Sequence, residues 1–343
     1  MRLSTVRFYR ASRAAVLVLL VGLFCMALLG CGQGSEAPAP SGNDGASDAA
    51  LPAIKVGTLQ TDDLLPLWAA SEEGRLSDAG LDVEIIVFQS GQEQIAAMTA
   101  GEIDALMTDM VVSALLSESN APVRAVTVMG GAPAGIVVGP EANISDLKDL
   151  ANVPVGVATP TAIEYVVDAA LADAGVPDDE VKFEVVPKLP VRLEMLMAGN
   201  IDAAALPWTL AALAEKQGAS IILDRDQARA YGATVLCFSQ SFLDGKPASG
   251  DTSTPELAAT AVQTVLTEWD RSVEAINADP DGYRELLVET ANLPEPLRES
   301  FPIPTYPNTQ LPDEGQWTAV LDWMKDKGYL TIDLSYDQMV FTP

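Results

Sequence analysis

Residues Ala100–Ala105 read AGEIDA, and Ala198–Ala203 read AGNIDA, an offset of 98 residues. Two more pairs keep the same order at nearly the same spacing. Leu76–Gly80 (LSDAG) matches Leu171–Gly175 (LADAG) at an offset of 95, and Val56-Gly57 matches Val155-Gly156 at 99. Any one match is weak, but three in register mark a duplicated unit. Outward from these anchors both copies read alike. A strand pattern (Lys55–Leu59; Val155–Ala158) leads to a helix (Pro66–Glu73; Ile163–Ala172). A second strand (Val83–Phe88; Lys182–Val186) leads to a second helix (Gln92–Ala100; Val191–Ala198), and a third strand (Ala105–Met107; Ala203–Leu206) leads to a third helix. Strands alternating with helices at this spacing predict a parallel sheet with helices on both faces. The fold class is therefore expected to be α/β, with two pseudo-repeated lobes and, if the lobes face each other, a ligand cleft between them. The apolar helical stretches 255–287 and 317–336 fall outside the repeat and are expected to pack on the first lobe.

Parallel α/β sheets bind ligands at the carboxyl ends of their strands, where helix N-termini present unpaired N–H groups. In the first lobe those ends are Gln60–Asp63, Gln89–Gly91 and Thr108–Asp109; in the second they are Thr159–Ala162, Lys188–Pro190 and Pro207–Thr209.

Composition removes much chemistry. The chain has 343 residues, 48% apolar, room for one large domain or two ordinary ones. Its formal net charge is −28, which argues against a nucleic-acid partner, since phosphates need a basic face. Histidine is absent, which excludes His-based triads, His-ligated zinc and imidazole acid–base catalysis. No metal, no cofactor and no catalytic residue is expected, and the chain reads as a monomer.

The first thirty residues read as a signal peptide. Arg2, Arg7, Arg10 and Arg13 precede an apolar run from Ala14 to Gly30, too short by a few residues for a comfortable membrane span. The run ends in Leu28-Leu29-Gly30-Cys31, which resembles the lipobox of bacterial lipoproteins; Cys31 is then the lipidated mature N-terminus. Residues 31–52, rich in Gly, Ser, Ala, Pro and Asp, read as a flexible tether. Only Cys237 would remain as a free thiol, flanked by Leu236 and Phe238 and read as buried and inert. Without residues 1–30 the chain keeps 16 basic and 48 acidic groups, a net of −32.

The stretch LPLWAASEEGRLSDAGLDVEIIVFQSGQEQIAAMTAGEIDALMTD (Leu65–Asp109) resembles the N-terminal lobe of ABC-transporter substrate-binding proteins of the nitrate/sulfonate/taurine/thiamine-precursor group. PTAIEYVVDAALADAG and PVRLEMLMAGNIDAAALPW fit the same group. The likeness spans most of residues 53–245. It implies a two-lobed receptor of the type II periplasmic-binding fold, tethered outside the membrane by lipid, that hands a small solute to a permease and its ATPase. It also implies two crossings between lobes, placed near Gly130–Pro133 and near Thr234–Ser239. Lobe one then comprises 53–131 plus 240–343, and lobe two 132–239. The alternatives are a biosynthetic enzyme of the same fold, of the pyrimidine or thiamine type, and a sensory lipoprotein without a permease.

The candidate ligand-binding residues are Thr61, Asp62, Gln89, Ser90, Thr108, Asp109, Thr159, Thr161 and Trp208. For each a plainer role stands beside the ligand role. Asp62 and Asp63 precede a helix and suit capping; so do Thr108-Asp109, Ser90 and Thr161. Trp208 reads either as core or as a flat wall against the solute. Lys188 reads as a surface lysine, and Arg192 as structural. Three carboxylates at the strand ends of lobe one (Asp62, Asp63, Asp109) tilt the expected solute from a sulfonate, nitrate or taurine towards an aminopyrimidine thiamine precursor.

Overall fold

A computed structural model describes residues Ala50–Pro343. The expected signal peptide, Cys31 and all but the last three tether residues lie outside the described residues. The first run of elements is β1 (Ile54–Thr58), α1 (Leu65–Glu72), α2 (Arg75–Asp78), β2 (Val83–Val87), α3 (Gly91–Ala100), β3 (Ala105–Asp109), α4 (Met110–Glu118) and β4 (Val123–Val128). The second is β5 (Ala134–Val138), β6 (Pro154–Val157), α5 (Ala162–Asp173), β7 (Lys182–Val185), α6 (Leu189–Met197), β8 (Ala203–Pro207), α7 (Trp208–Lys216), β9 (Ser220–Leu223) and α8 (Arg225–Ala228). After β10 (Thr234–Ser239) come α9 (Gln240–Leu243), α10 (Pro255–Ala278), α11 (Arg284–Thr290), α12 (Glu314–Asp326) and α13 (Tyr336–Met339).

Two five-stranded sheets result, in orders β2-β1-β3-β10-β4 and β7-β6-β8-β5-β9. Each has a single antiparallel strand in its fourth place, β10 in the first and β5 in the second. Each of these strands is delivered by chain arriving from the other lobe. This corrects the expected boundary of lobe two at residue 239. Thr234–Ser239 pairs with β3 and β4 in the first sheet, so the second crossing precedes Thr234. The apolar run TVLCFS reads as a strand in either lobe; only its hydrogen-bonding partners decide which.

The duplicated motif has a packing reason. A Cβ on Gly57 would lie 2.6 Å from Cδ1 of Ile103, and one on Gly156 would lie 2.7 Å from Cδ1 of Ile201. The glycine of the Val-Gly pair thus makes room for the isoleucine of the AGxIDA pair, in both lobes. A second equivalence lies beside it. Gln94 Nε2 donates to the carbonyls of Gly57 and Met107, both at 2.9 Å. At the matching place in lobe two, Arg192 donates to Val186 and Ala205. Gln94 ties the adjacent strands β1 and β3 together, whereas Arg192 reaches from the end of β7 to β8, across the strand β6 between them. Both meet backbone acceptors near the carboxyl ends of the strands.

The C-terminal third builds on the first sheet. Thr254 caps α10 by accepting from Leu257 N, and Pro255 suits the first helical turn. Its inward stripe (Ala258, Ala261, Val262, Val265, Trp269, Val273, Ile276) recurs at three and four residues and packs against α1. Each fully buried Val or Trp contributes on the order of 1.5–3 kcal/mol. Helix α12 packs on α4, and Val340 bridges to Ala125 of β4.

Candidate functional site

The β1–α1 loop carries the adjacent carboxylates. Helix α1 starts at Leu65 with Leu64 as its cap residue, and no side chain bonds its free N–H groups. Neither Asp62 nor Asp63 is a helix cap, contrary to the plainer reading. Both turn towards the junction of the lobes. Asp62 is 3% exposed, and its Oδ2 lies 2.7 Å from Nη2 of Arg225. The pair is a charge contact without aligned hydrogen-bond geometry, since Oδ2 has no hydrogen-bond partner among the described residues. The carbonyl of Asp62 accepts from the Tyr306 hydroxyl at 2.7 Å.

Asp63 points at the two crossings. Its Oδ1 accepts from Thr234 Oγ1 at 3.4 Å, and a Cβ on Gly130 would sit 2.8 Å from the same oxygen. Burial raises its pKa to about 7, and the Asp62 charge adds to this; Arg225 and the Thr234 hydroxyl oppose it.

Arg225 links the lobes. Its guanidinium sits 4.9 Å over the ring of Trp208, while the same group pairs with Asp62. The Nε1–H of Trp208 donates to Ala132 O at 2.9 Å, in the first crossing. The ring also lies against β5, where a Cβ on Gly135 would be 2.6 Å from Cζ3. The carboxyl end of β1 therefore meets the carboxyl end of β8 through one arginine. Neither Arg225 nor Tyr306 was anticipated from the sequence. Arg225 stands in a polar stretch indistinguishable from a surface turn, and Tyr306 in an irregular Pro-rich one.

The remaining candidates divide into caps and rim groups. Ser90 caps α3 by accepting from Glu93 N at 3.2 Å. Asp109 caps α4 by accepting from Val112 N at 2.9 Å, and burial raises its pKa. Thr161 caps α5, accepting from Glu164 N and donating to Ala158 O. Thr61 donates to Met107 Sδ at 3.3 Å. Thr108 is buried at the end of β3, Thr159 is half-buried, and Gln89 is exposed with its N–H given to Glu93. Lys188 is exposed, as expected of a surface lysine.

A cavity of about 420 Å³ lies away from this place, lined by Met98, Gly101, Asn120, Pro122, Ser239 and Lys246. These residues stand at the end of α3, the start of β4 and the end of antiparallel β10, that is, at the amino-terminal edge of the first sheet. It belongs to none of the strand-end loops. Cys237 is fully buried in β10, and burial pushes its thiol up to about 12, which disqualifies it as a nucleophile.

Residues 47–266, more than half of the chain, match the model of the NMT1-like family. No curated protein sequence matches the chain. Among solved structures, the periplasmic aliphatic sulphonate binding protein SsuA from Escherichia coli is similar at a TM-score of 0.69 and 16% identity, over 85% of this chain and 92% of that one. The periplasmic nitrate-binding protein NrtA from Synechocystis PCC 6803 is similar at 0.60 and 14%, over 84% of each chain. The desulfurization enzyme DSZB is similar at 0.61 and 14%, over 84% of this chain and 96% of that one. These likenesses establish the fold. The group resembled in the sequence and the family matched here agree, and the chain belongs to the NMT1-like family, with the two-lobed fold of periplasmic binding proteins.

Proposed function

We propose that this protein is an extracytoplasmic solute receptor, lipid-anchored through Cys31, that holds a small anion between its lobes and delivers it to an ABC permease and its ATPase. One observation carries the reading. The Asp62–Arg225–Trp208 contact brings the carboxyl ends of β1 and β8 together, which supports a solute space bordered by strand ends and helix N-termini of both lobes. Two relatives in fold are named for binding a sulphonate and nitrate, and an anion is the solute that helix N-termini hold without a lysine.

The expected lean towards an aminopyrimidine loses its basis. Asp62 is paired with Arg225, Asp63 faces the crossings and Asp109 caps α4, so each carboxylate is committed to a protein partner. The groups left for the solute are Thr61, Gln89, Thr108, Thr159 and the N-terminal N–H groups of α3 and α5, beside the caps Ser90 and Thr161. Trp208 forms a wall, and Asp62 orients Arg225 instead of touching solute.

Thermal unfolding of the full-length protein with nitrate, alkanesulfonates, taurine and aminopyrimidines tests this. A true ligand at a hundredfold excess over Kd adds about 2.7 kcal/mol of stability. Stabilisation by an aminopyrimidine alone would restore the earlier lean, and no shift across the panel would sink the receptor reading. The likeness to DSZB keeps an enzyme as the second reading, and product formation by the purified protein separates it. Binding by a protein that supports no uptake would point to a sensor.

A further inference from the structure

Arg192 is fully buried, and its guanidinium is met only by backbone. Nε and Nη2 donate to Val186 O at 2.9 and 2.8 Å, and Nη1 donates to Ala205 O at 2.8 Å. No carboxylate lies within ion-pair distance among the described residues. A buried charge without a counter-charge is costly, so it calls for an explanation. Strand bridging does not supply one. At the equivalent place in lobe one, the neutral amide of Gln94 also joins two backbone carbonyls, those of Gly57 and Met107, the latter being the counterpart of Ala205. The fold accepts glutamine here; lobe two carries a full positive charge instead.

We infer that Arg192 is the positioning residue that makes lobe two attract anions, acting through its field from beneath the cleft floor without touching the solute. Burial alone lowers its pKa, to about 10, so it stays charged at neutral pH. Ala205 lies two residues before Pro207, the end of β8, or about 7 Å at ~3.3 Å per residue, so a solute seated ~3 Å above that end lies about 10 Å from the guanidinium. Two unit charges at that separation, at an effective dielectric of about 20, change affinity roughly tenfold. On a chain of net charge −28 an anion arrives against the overall field, and a buried cation close to the site offsets that locally.

The inference rests on the anion reading proposed above, and the test keeps the two apart. Sodium nitrate and methanesulfonate are titrated calorimetrically into the full-length protein, Arg192→Gln and Arg192→Lys. Arg192→Gln, which copies the lobe-one residue, is expected to bind the anion about tenfold more weakly while its melting temperature stays near that of the parent. Arg192→Lys keeps the charge and is expected to stay within about twofold of the parent. If Arg192→Gln binds as tightly as the parent, the role of Arg192 is overturned and the receptor reading survives. If Lys and Gln lose equally, the role is structural and the inference is again overturned. If the parent binds neither anion, the anion reading itself fails. Should Arg192→Gln not fold, the Lys variant decides alone.

Discussion

The indole Nε1–H of Trp323 donates to Oδ2 of Asp168 at 2.8 Å, joining α12, which packs on the first lobe, to α5 of the second. Lys327 Nζ meets the same oxygen at 2.8 Å, and the Tyr329 hydroxyl donates to Glu164 one turn earlier on α5. The C-terminal segment is thus a second tie between the lobes, apart from the two crossings. Truncating Asp168 to Ala strands a half-buried indole N–H and is expected to cost about 1–3 kcal/mol in urea unfolding. Lys327 is more than a third exposed, so Lys327→Ala should cost well under half of that. Equal losses for the two variants would contradict this ranking.

Gly135 and Gly57 are both tightly packed, but against different neighbours. A Cβ on Gly135 would meet the Leu223 carbonyl at 2.5 Å and the Trp208 ring at 2.6 Å, neither of which can yield locally. At Gly57 the nearest atom is the terminal Cδ1 of Ile103, which can rotate. Gly135→Ala is expected to cost about 1–3 kcal/mol or more and to shift tryptophan fluorescence, while Gly57→Ala costs less. The reverse order in denaturant midpoints would refute the assignment of Trp208 to this contact.

The Asp63 carboxyl dictates a pH trend. Its folded pKa of about 7 stands above the ordinary 3.8, so between those values the folded chain keeps a proton that the unfolded chain has lost. This contribution favours folding at low pH, declines as pH rises from about 4, and reaches its full penalty above about 7. Asp63→Asn is expected to be more stable than the parent at pH 8, by on the order of 2–4 kcal/mol, with little difference near pH 4. Urea titrations at both values check it; a gain of equal size at pH 4 would remove Asp63 as the cause.

Cys237 offers a simpler check. Fully buried, with its thiol pushed up to about 12, it should resist iodoacetamide in the folded protein and react only after denaturation. Peptide mass spectrometry reads the result directly, and rapid labelling under native conditions would place this strand nearer the surface than described.

Local pattern was legible without coordinates. The duplicated AGxIDA and Val-Gly motifs, the alternating strands and helices, and the strand-end loops follow from periodicity and spacing. Ser90, Asp109 and Thr161 were readable as helix caps because a cap and its acceptor N–H lie three residues apart in sequence. Local signals also misled. Asp62 and Asp63 look like caps for α1, yet their partners are Arg225, Tyr306 and Thr234, the nearest of which is more than 160 residues away. Likewise Thr234–Ser239 is a strand on local grounds, but its sheet is chosen by β3 and β4. The exchange of Gln94 for Arg192 was visible as a difference of letters. Only the tertiary structure revealed that both side chains are buried on carbonyls and that one carries an unbalanced charge. Sequence alone determined the repeated α/β unit and where its strand ends fall, because those depend on neighbours a few residues apart. The joining of the lobes through Arg225 and the burial of Arg192 on backbone carbonyls were decided by the tertiary structure, because burial and electrostatic pairing depend on residues brought together from distant parts of the chain.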